Sequence, residues 1–203
     1  MSNNLTERAT VNKNIFIKIL RDNVRRPGME KMISWLSEET DFFEAPASTK
    51  FHGAEEGGLC AHSISVYYLL ESYYKFREND LNFHMVDNES IAIAALLHDV
   101  CKIGCYHKGT KNVKDSQGKW YKEEIYTFND PMPFGHGEKS VWEIFKFIRL
   151  SDEEAFAIRY HMGAFQAEDV KNLSKVYSKY PLAFALSVAD MESTYYLEDR
   201  KEG

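Results

Sequence analysis

The feature that most constrains this sequence is an apolar run that ends in an adjacent histidine and aspartate. Residues Ile91 to Leu97 are apolar on nearly every side of a helix, so they are expected to form a central, buried helix. His98 and Asp99 follow the run directly. An imidazole and a carboxylate are costly to bury without a partner, and a divalent metal ion can bind both. The run therefore predicts a helical core with a metal site at its end.

Other ionisable residues fall at positions where a helix should be apolar. His62 shares the apolar stripe of a helix expected over Leu59 to Phe76, and Asp190 shares that of a helix expected to begin at Pro181. A solitary histidine is usually a hydrogen-bonded or surface residue, and Asp190 alone could equally be a helix cap or an ion-pair partner. Taken together with His98 and Asp99, these residues favour convergence on one metal ion or a pair of ions.

Helical periodicity dominates the rest of the chain. Turn residues between aromatic and β-branched segments interrupt it once and predict a β-hairpin over residues 106–128. We expect an all-α fold with this small insertion, in a single domain covering residues 1–203 with N-terminal helices within 1–48. The helices are expected over 5–23, 29–37, 59–76, 88–101, 138–150, 151–161 and 181–197, with a capping box at Ser151 and Glu154.

Composition limits the classes of function. The net charge of −6 disfavours a broad surface for long nucleic acids, and the apolar run at Ile91 to Leu97 is too short to cross a membrane. The polar segment Met1 to Lys13 does not resemble a signal peptide. The three cysteines suggest no disulfide framework, so a cytoplasmic protein is expected; Cys101 and Cys105 could be metal ligands, although buried core residues are favoured.

His62, His98-Asp99 and Asp190, in this order on successive helices, resemble the H…HD…D pattern of the HD-domain metal-dependent phosphohydrolases. The resemblance extends from about Phe51 to Asp190. Its most specific segments are Gly57 to Ser63, Leu96 to Gly104 and Ser187 to Asp190. The Gly57-Gly58-Leu59 segment is also similar to the HD domains of certain bacterial exoribonucleases, although no separate nucleic-acid-binding module is evident.

The resemblance implies an HD-domain helical bundle and two metal sites. His62, His98, Asp99 and Asp190 would hold the first ion. His136, which lies between two glycines, and His161 match the positions of two further histidines in members that bind a second ion, and Asp99 would then bridge the ions. The histidine-rich set suits Mn, Fe, Co, Ni or Zn better than Mg or Ca.

The resemblance further implies that a metal-activated water hydrolyses a phosphomonoester or phosphodiester. The expected partner is a small phosphorylated substrate, a nucleotide or short oligonucleotide. Asp99 and Lys102 are the expected catalytic residues, because the Lys102 ammonium could neutralise charge that develops on the phosphate. Lys102 could equally be a solvated lysine at a helix end. The alternatives are an HD-fold di-iron oxygenase and a non-catalytic module that binds a metal or ligand.

Two further features have open interpretations. The hairpin contains five lysines, which could contact phosphate but more often protect exposed strand edges: Lys108, Lys111, Lys114, Lys119 and Lys122. His52 precedes a glycine-rich loop and could reach the substrate, whereas Glu138 is a weak candidate for orienting a metal ligand and is more simply a surface glutamate.

Overall fold

A computed structural model of the protein describes residues 2–50, 53–81, 83–164 and 167–197, so His52 lies outside the described residues. These residues form eight α-helices, one antiparallel hairpin and two short helical turns. The elements, in chain order, are α1 (Ser2–Asn23), α2 (Met29–Glu38), α3 (Gly58–Phe76), α4 (Asn88–Leu97), a 3-10 turn (Val100–Lys102), β1 (Tyr106–Lys114), β2 (Trp120–Phe128), α5 (His136–Phe145), α6 (Asp152–Arg159), α7 (Ala167–Lys179), α8 (Pro181–Glu192) and a π-helical turn (Ser193–Leu197). The predicted all-α fold with a small inserted hairpin is confirmed.

The apolar helix α4 lies at the centre of the fold. All of its residues from Ser90 to Leu97 are buried, and it packs against α1, α3, α6 and α8. Its N-cap is Asp87, whose side chain accepts a hydrogen bond from Ser90 N at 2.7 Å. The helix ends at Leu97 and not at Cys101, because the backbone of Asp99 leaves the helical conformation (φ −109°, ψ 14°) and a 3-10 turn follows. This break sets His98 and Asp99 at the helix end.

The helices after the hairpin differ from prediction mainly at their ends. Helix α5 begins at His136, two residues earlier than expected, and stops at Phe145; α6 stops at Arg159. The capping box is confirmed, since Ser151 Oγ accepts from Glu154 N at 3.2 Å and the Glu154 carboxylate accepts from Ser151 N at 2.7 Å. Helix α7 was not predicted. The helix from Pro181 changes at Ser193 into a π-helical turn.

The hairpin extends from the helical body and is anchored at its base. Tyr106 pairs with Phe128 and Lys114 with Trp120 in a continuous antiparallel register. Asn129 N donates to Cys105 O at 2.8 Å, and the Tyr106 hydroxyl donates to Ala47 O at 2.9 Å. Most hairpin side chains are exposed, which agrees with lysines that protect free strand edges.

A buried carboxylate joins the N-terminal helices to the centre of the fold. Glu154 on α6 is fully buried and accepts hydrogen bonds from Arg26 at 2.5 and 2.6 Å and from the Ser90 hydroxyl at 2.6 Å. Arg26 lies between α1 and α2, and Ser90 lies in the first turn of α4. The Glu154 side chain therefore connects three parts of the chain that are distant in sequence.

Two findings bear on the expected class of protein. Cys60, Cys101 and Cys105 are all buried and form no disulfide. Within the described part of the chain, no helix has both the length and the apolar character needed to span a bilayer.

Candidate metal centre

The six predicted ligands meet in one region of the core, although they come from five helices. His62 lies in the second turn of α3, His98 and Asp99 just beyond α4, His136 at the start of α5, His161 just beyond α6, and Asp190 near the end of α8. All are buried except His136, whose side chain is 31% exposed. The sequence order on separate helices thus corresponds to a cluster in space.

One part of the cluster contains His62, His98 and Asp190. Asp190 Oδ1 lies 3.1 Å from His62 Nε2 and 4.0 Å from His98 Nε2. Asp99 Oδ2 approaches the same two imidazoles, at 3.4 Å from His98 Nε2 and 3.8 Å from His62 Nε2. The ligand atoms of His62, His98 and Asp190 therefore all lie within 4.8 Å of one another, and Asp99 approaches this group through its two imidazoles.

The other part of the cluster faces the second oxygen of the same aspartate. Asp99 Oδ1 lies 2.9 Å from His136 Nε2 and 3.6 Å from His161 Nε2. Asp99 therefore presents one carboxylate oxygen to each pair of histidines, which is the arrangement required of a residue that bridges two ions.

The tautomers of two histidines follow from their hydrogen bonds. His98 Nδ1 lies 2.8 Å from Ala95 O, and His161 Nδ1 lies 2.7 Å from Ile158 O. A carbonyl oxygen can only accept, so each Nδ1 holds a proton, and in the neutral ring each Nε2 then presents its lone pair. Both Nε2 atoms are buried and have no hydrogen-bond partner among the described residues. Two buried lone pairs that face one carboxylate fit a metal ion, since an ion would satisfy all three groups.

The other two histidines each have a side chain beside Nδ1. One of these neighbours, Ser193, was missed from the sequence, whereas the other, Cys101, was considered as a metal ligand but favoured as a core residue. Ser193 Oγ lies 3.4 Å from His62 Nδ1, and Cys101 Sγ lies 3.4 Å from His136 Nδ1. Ser193 could have been found from its spacing, because it lies three residues after Asp190 and therefore on the same face of a helix. Cys101 is buried as predicted but lies at the edge of the site, whereas Cys105 contacts Lys139 and Asp130.

The electrostatics of the cluster favour ionised carboxylates and a neutral histidine. Burial opposes ionisation of Asp99, but Lys102 and the surrounding histidines hold its pKa well below its ordinary value. Burial likewise opposes ionisation of Asp190, yet its contact with His62 lowers the pKa of that carboxyl. Burial lowers the pKa of His98, against the attraction of Asp99. At neutral pH these groups are therefore in the protonation states that bind cations.

Lys102 is part of this charge distribution. Its side chain is only 13% exposed, and Nζ lies 2.7 Å from Asp99 Oδ2. Burial would lower the pKa of Lys102, but the Asp99 carboxylate outweighs it and raises the pKa above its ordinary value. The interpretation of Lys102 as a solvated lysine is therefore wrong, and its role in catalysis stays a prediction.

A close helix crossing brings His136 and His161 together. A Cβ atom at Gly137 would lie 2.3 Å from Arg159 O, so only glycine permits this approach of α5 to the end of α6. The two imidazole centroids are 5.2 Å apart as a result. Arg159 also pairs with Glu138 at 2.5 Å, which places Glu138 in an ion pair between helices and not against a candidate ligand.

Comparison with known proteins agrees with this geometry. The family model described as HD domain matches residues 59–194, about two thirds of the chain, and does not single out the exoribonuclease branch. Searches of the curated proteins and of the solved structures gave no significant match. HD domains bind divalent metals, and the His and Asp clusters of this chain fit such binding. By its matched segment and its ordered His-Asp set, the chain belongs to the HD-domain superfamily of metal-dependent phosphohydrolases.

Proposed function

We propose that this protein hydrolyses a phosphomonoester or phosphodiester of a nucleotide or short oligonucleotide by means of a metal-activated water. The observation that most supports this function is a pair of buried Nε2 atoms, those of His98 and His161, which lie beside the Asp99 carboxylate and have no hydrogen-bond partner in the described part of the chain. Each such atom costs free energy when it is buried without a hydrogen bond, and a bound cation beside the carboxylate would supply the missing partner for both.

The proposed cofactor is one or two divalent transition-metal ions, drawn from Mn, Fe, Co, Ni and Zn. His62, His98, Asp99 and Asp190 would hold the first ion, and Asp99, His136 and His161 the second. Such an ion, when bound, lowers the pKa of its water from about 15.7 towards about 7 and polarises a phosphoryl oxygen. The supporting observation is chemical: four imidazoles and two carboxylates form a donor set typical of transition metals.

The protein's own residues would perform the remaining tasks. Each oxygen of Asp99 would face one pair of histidines and so keep the two pairs at a fixed separation. The Lys102 ammonium would supply positive charge next to the reacting phosphate. The carbonyl oxygens of Ala95 and Ile158 would keep a proton on Nδ1 of His98 and His161, which leaves Nε2 of each ring as the atom that binds a cation. The partial exposure of His136 supports access of the substrate from that side.

The substrate class and compartment are also proposals. A small substrate is supported by the net charge of −6, which disfavours long nucleic acids, and by burial of the cluster, which would admit only a phosphate group and its immediate neighbours. A cytoplasmic location is supported by three buried cysteines without a disulfide. We also propose that residues 1–203 act as one domain, supported by the contact of α1 with α3 and α4.

The function can be tested by elemental analysis of the purified protein, followed by assays under the metal found. The panel should include nucleoside monophosphates, cyclic nucleotides, a bis-aryl phosphodiester and short oligonucleotides. We expect phosphate-ester cleavage that disappears with a chelator and returns when the metal is restored. Bound metal with no cleavage of any member of the panel would contradict the proposal and favour a non-catalytic module.

A parallel assay separates the oxygenase alternative. The iron-loaded protein would be incubated with the same compounds in an oxygen electrode. Oxygen uptake that depends on a compound, without phosphate release, would contradict phosphohydrolysis. Phosphate release at the same rate with and without oxygen would support it.

A further inference from the structure

Helix α8 and the π-helical turn that follows it contact both nitrogens of one imidazole. Asp190 Oδ1 lies 3.1 Å from His62 Nε2, and Ser193 Oγ lies 3.4 Å from His62 Nδ1. Asp190 and Ser193 are three residues apart, so they lie on the same face of the helical segment. Ser193 has no exposed surface. A single turn of the chain therefore fixes His62 from its two sides.

The partner at Nδ1 distinguishes His62 from two other histidines of the site. His98 and His161 face backbone carbonyls of their own helices at Nδ1, and these contacts do not depend on any side chain. His62 instead faces a hydroxyl, which can accept a proton from Nδ1–H or donate to an unprotonated Nδ1. When Nε2 binds a cation, Nδ1 must hold the proton, and the Ser193 oxygen is then the acceptor.

We propose that Ser193 is a positioning residue: its hydroxyl accepts the Nδ1 proton of His62 and so directs the Nε2 lone pair into the metal centre beside Asp190. This inference rests on the proposed metal function. The π-helical turn supports it, because such turns are rare and occur frequently at functional sites. Here the turn begins at Ser193 itself and packs against α3, the helix that contains His62.

The first test measures metal affinity and not activity. Zinc affinity would be determined by competition with a chromophoric chelator for the wild type, Ser193→Ala and Ser63→Ala. Ser63 is a matched control, because it is equally buried and adjacent to His62, but its hydroxyl donates to Leu59 O at 3.0 Å in its own helix. We expect Ser193→Ala to bind zinc about tenfold to hundredfold more weakly, as is usual when the hydrogen-bond partner of a ligand histidine is lost. Ser63→Ala should match the wild type.

A second measurement needs no Ser193 variant and remains valid if that variant fails to fold. Long-range proton–nitrogen spectra of the zinc-loaded wild type report which imidazole nitrogen is protonated, and His62→Gln identifies the His62 signals by their loss. We expect His62 to be protonated at Nδ1. Protonation at Nε2 would overturn the proposal, as would equal zinc affinity of Ser193→Ala and the wild type.

These outcomes separate the inference from the function on which it rests. A wild-type protein that binds no transition metal would overturn both. Tight binding by the wild type and by Ser193→Ala alike would overturn only the role of Ser193. Equal losses in Ser193→Ala and Ser63→Ala would also overturn that role, because the effect would then belong to any buried hydroxyl near His62.

Discussion

Lys102 Nζ lies 2.7 Å from Asp99 Oδ2, on the side of the carboxylate that faces His62 and His98. The ammonium is not a ligand for a cation, so its removal should leave metal content intact. For Lys102→Ala we expect turnover to fall by about 10²–10³, the usual effect of losing one group that stabilises transition-state charge. Lys108→Ala, which removes an exposed lysine paired with Glu56, is the control for a general loss of positive charge. Full activity of Lys102→Ala would remove Lys102 from the proposed mechanism.

Asp99 is the residue whose loss should affect both groups of ligands at once. Asp99→Asn keeps the size of the side chain but removes the charge that faces four histidines. We expect elemental analysis to find almost no bound metal, and circular dichroism to show the helical fold largely kept. The same two measurements on His98→Ala should give the same result.

Asp130→Asn is the matched control for Asp99→Asn. Asp130 also pairs with a buried lysine, Lys139, at 2.6 Å, but it lies outside the six candidate ligands. The Asp130→Asn variant should therefore retain the metal content of the wild type. Unchanged metal content in Asp99→Asn, or an equal loss in Asp130→Asn, would contradict the assignment of the site.

Gly137 should be intolerant of even the smallest side chain. A Cβ atom would meet Arg159 O at 2.3 Å, so Gly137→Ala must move α5 away from the end of α6 and separate His136 from His161. We expect a loss of about 1–3 kcal/mol in the free energy of unfolding, typical of overpacking, and a lower metal stoichiometry. Urea denaturation and elemental analysis measure the two effects. Gly109→Ala is the control, because the added Cβ there meets only Thr127 Cγ2 at 3.7 Å; it should change neither the stability nor the metal stoichiometry. Unchanged stability of Gly137→Ala would contradict the prediction.

The buried Glu154 predicts a dependence of stability on pH. Burial would raise the pKa of Glu154, but hydrogen bonds from Arg26, Ser90 and the backbone N–H of Ser151 outweigh it and lower the pKa. Because the folded-state pKa is below the unfolded value of about 4.3, the carboxylate stabilises the fold above that pH. This stabilisation is lost as the pH falls through the folded-state pKa.

Glu154→Gln tests that dependence in urea denaturation with a chelator present. We expect Glu154→Gln to lower the free energy of unfolding by about 2–4 kcal/mol at pH 7, because it leaves the Arg26 guanidinium without its buried carboxylate partner, and to weaken the acid sensitivity of the fold. Glu30→Gln, which breaks the exposed pair of Glu30 with Arg21, should leave the free energy of unfolding nearly unchanged. Equal stability of Glu154→Gln and the wild type at pH 7 would contradict the prediction.

The elements that the sequence specified well have strong local signals. The apolar segment that became α4, the capping box at Ser151 and the hairpin with its turn residues have signals in neighbouring residues, and each was found where expected. Helix α7 was missed although it is amphipathic, with Val170, Leu173 and Val176 at helical spacing. The end of α4 was misplaced because the apolar run gives no sign that the backbone of Asp99 leaves the helical conformation.

The candidate site was accessible from the sequence only in part. His62, His98, Asp99 and Asp190 stand out because each is ionisable at a position that should be buried. Ser193 does not stand out, since a serine on a helix is ordinary, and its importance depends on how closely the turn after α8 approaches α3. Contacts between helices are set by packing in three dimensions, and no local pattern encodes them.

The positions of the six candidate ligands have a consequence for the unfolded chain. His62 and Asp190 lie near opposite ends of the segment that matches the HD domain, and the other four fall between them. Ions held by these residues would act as reversible cross-links that close several long loops, and they would favour the folded state as any ligand specific to that state does. Removal of the metal should therefore lower the melting temperature and expose the chain to proteases, so that metal scarcity would reduce the amount of the protein as well as its activity.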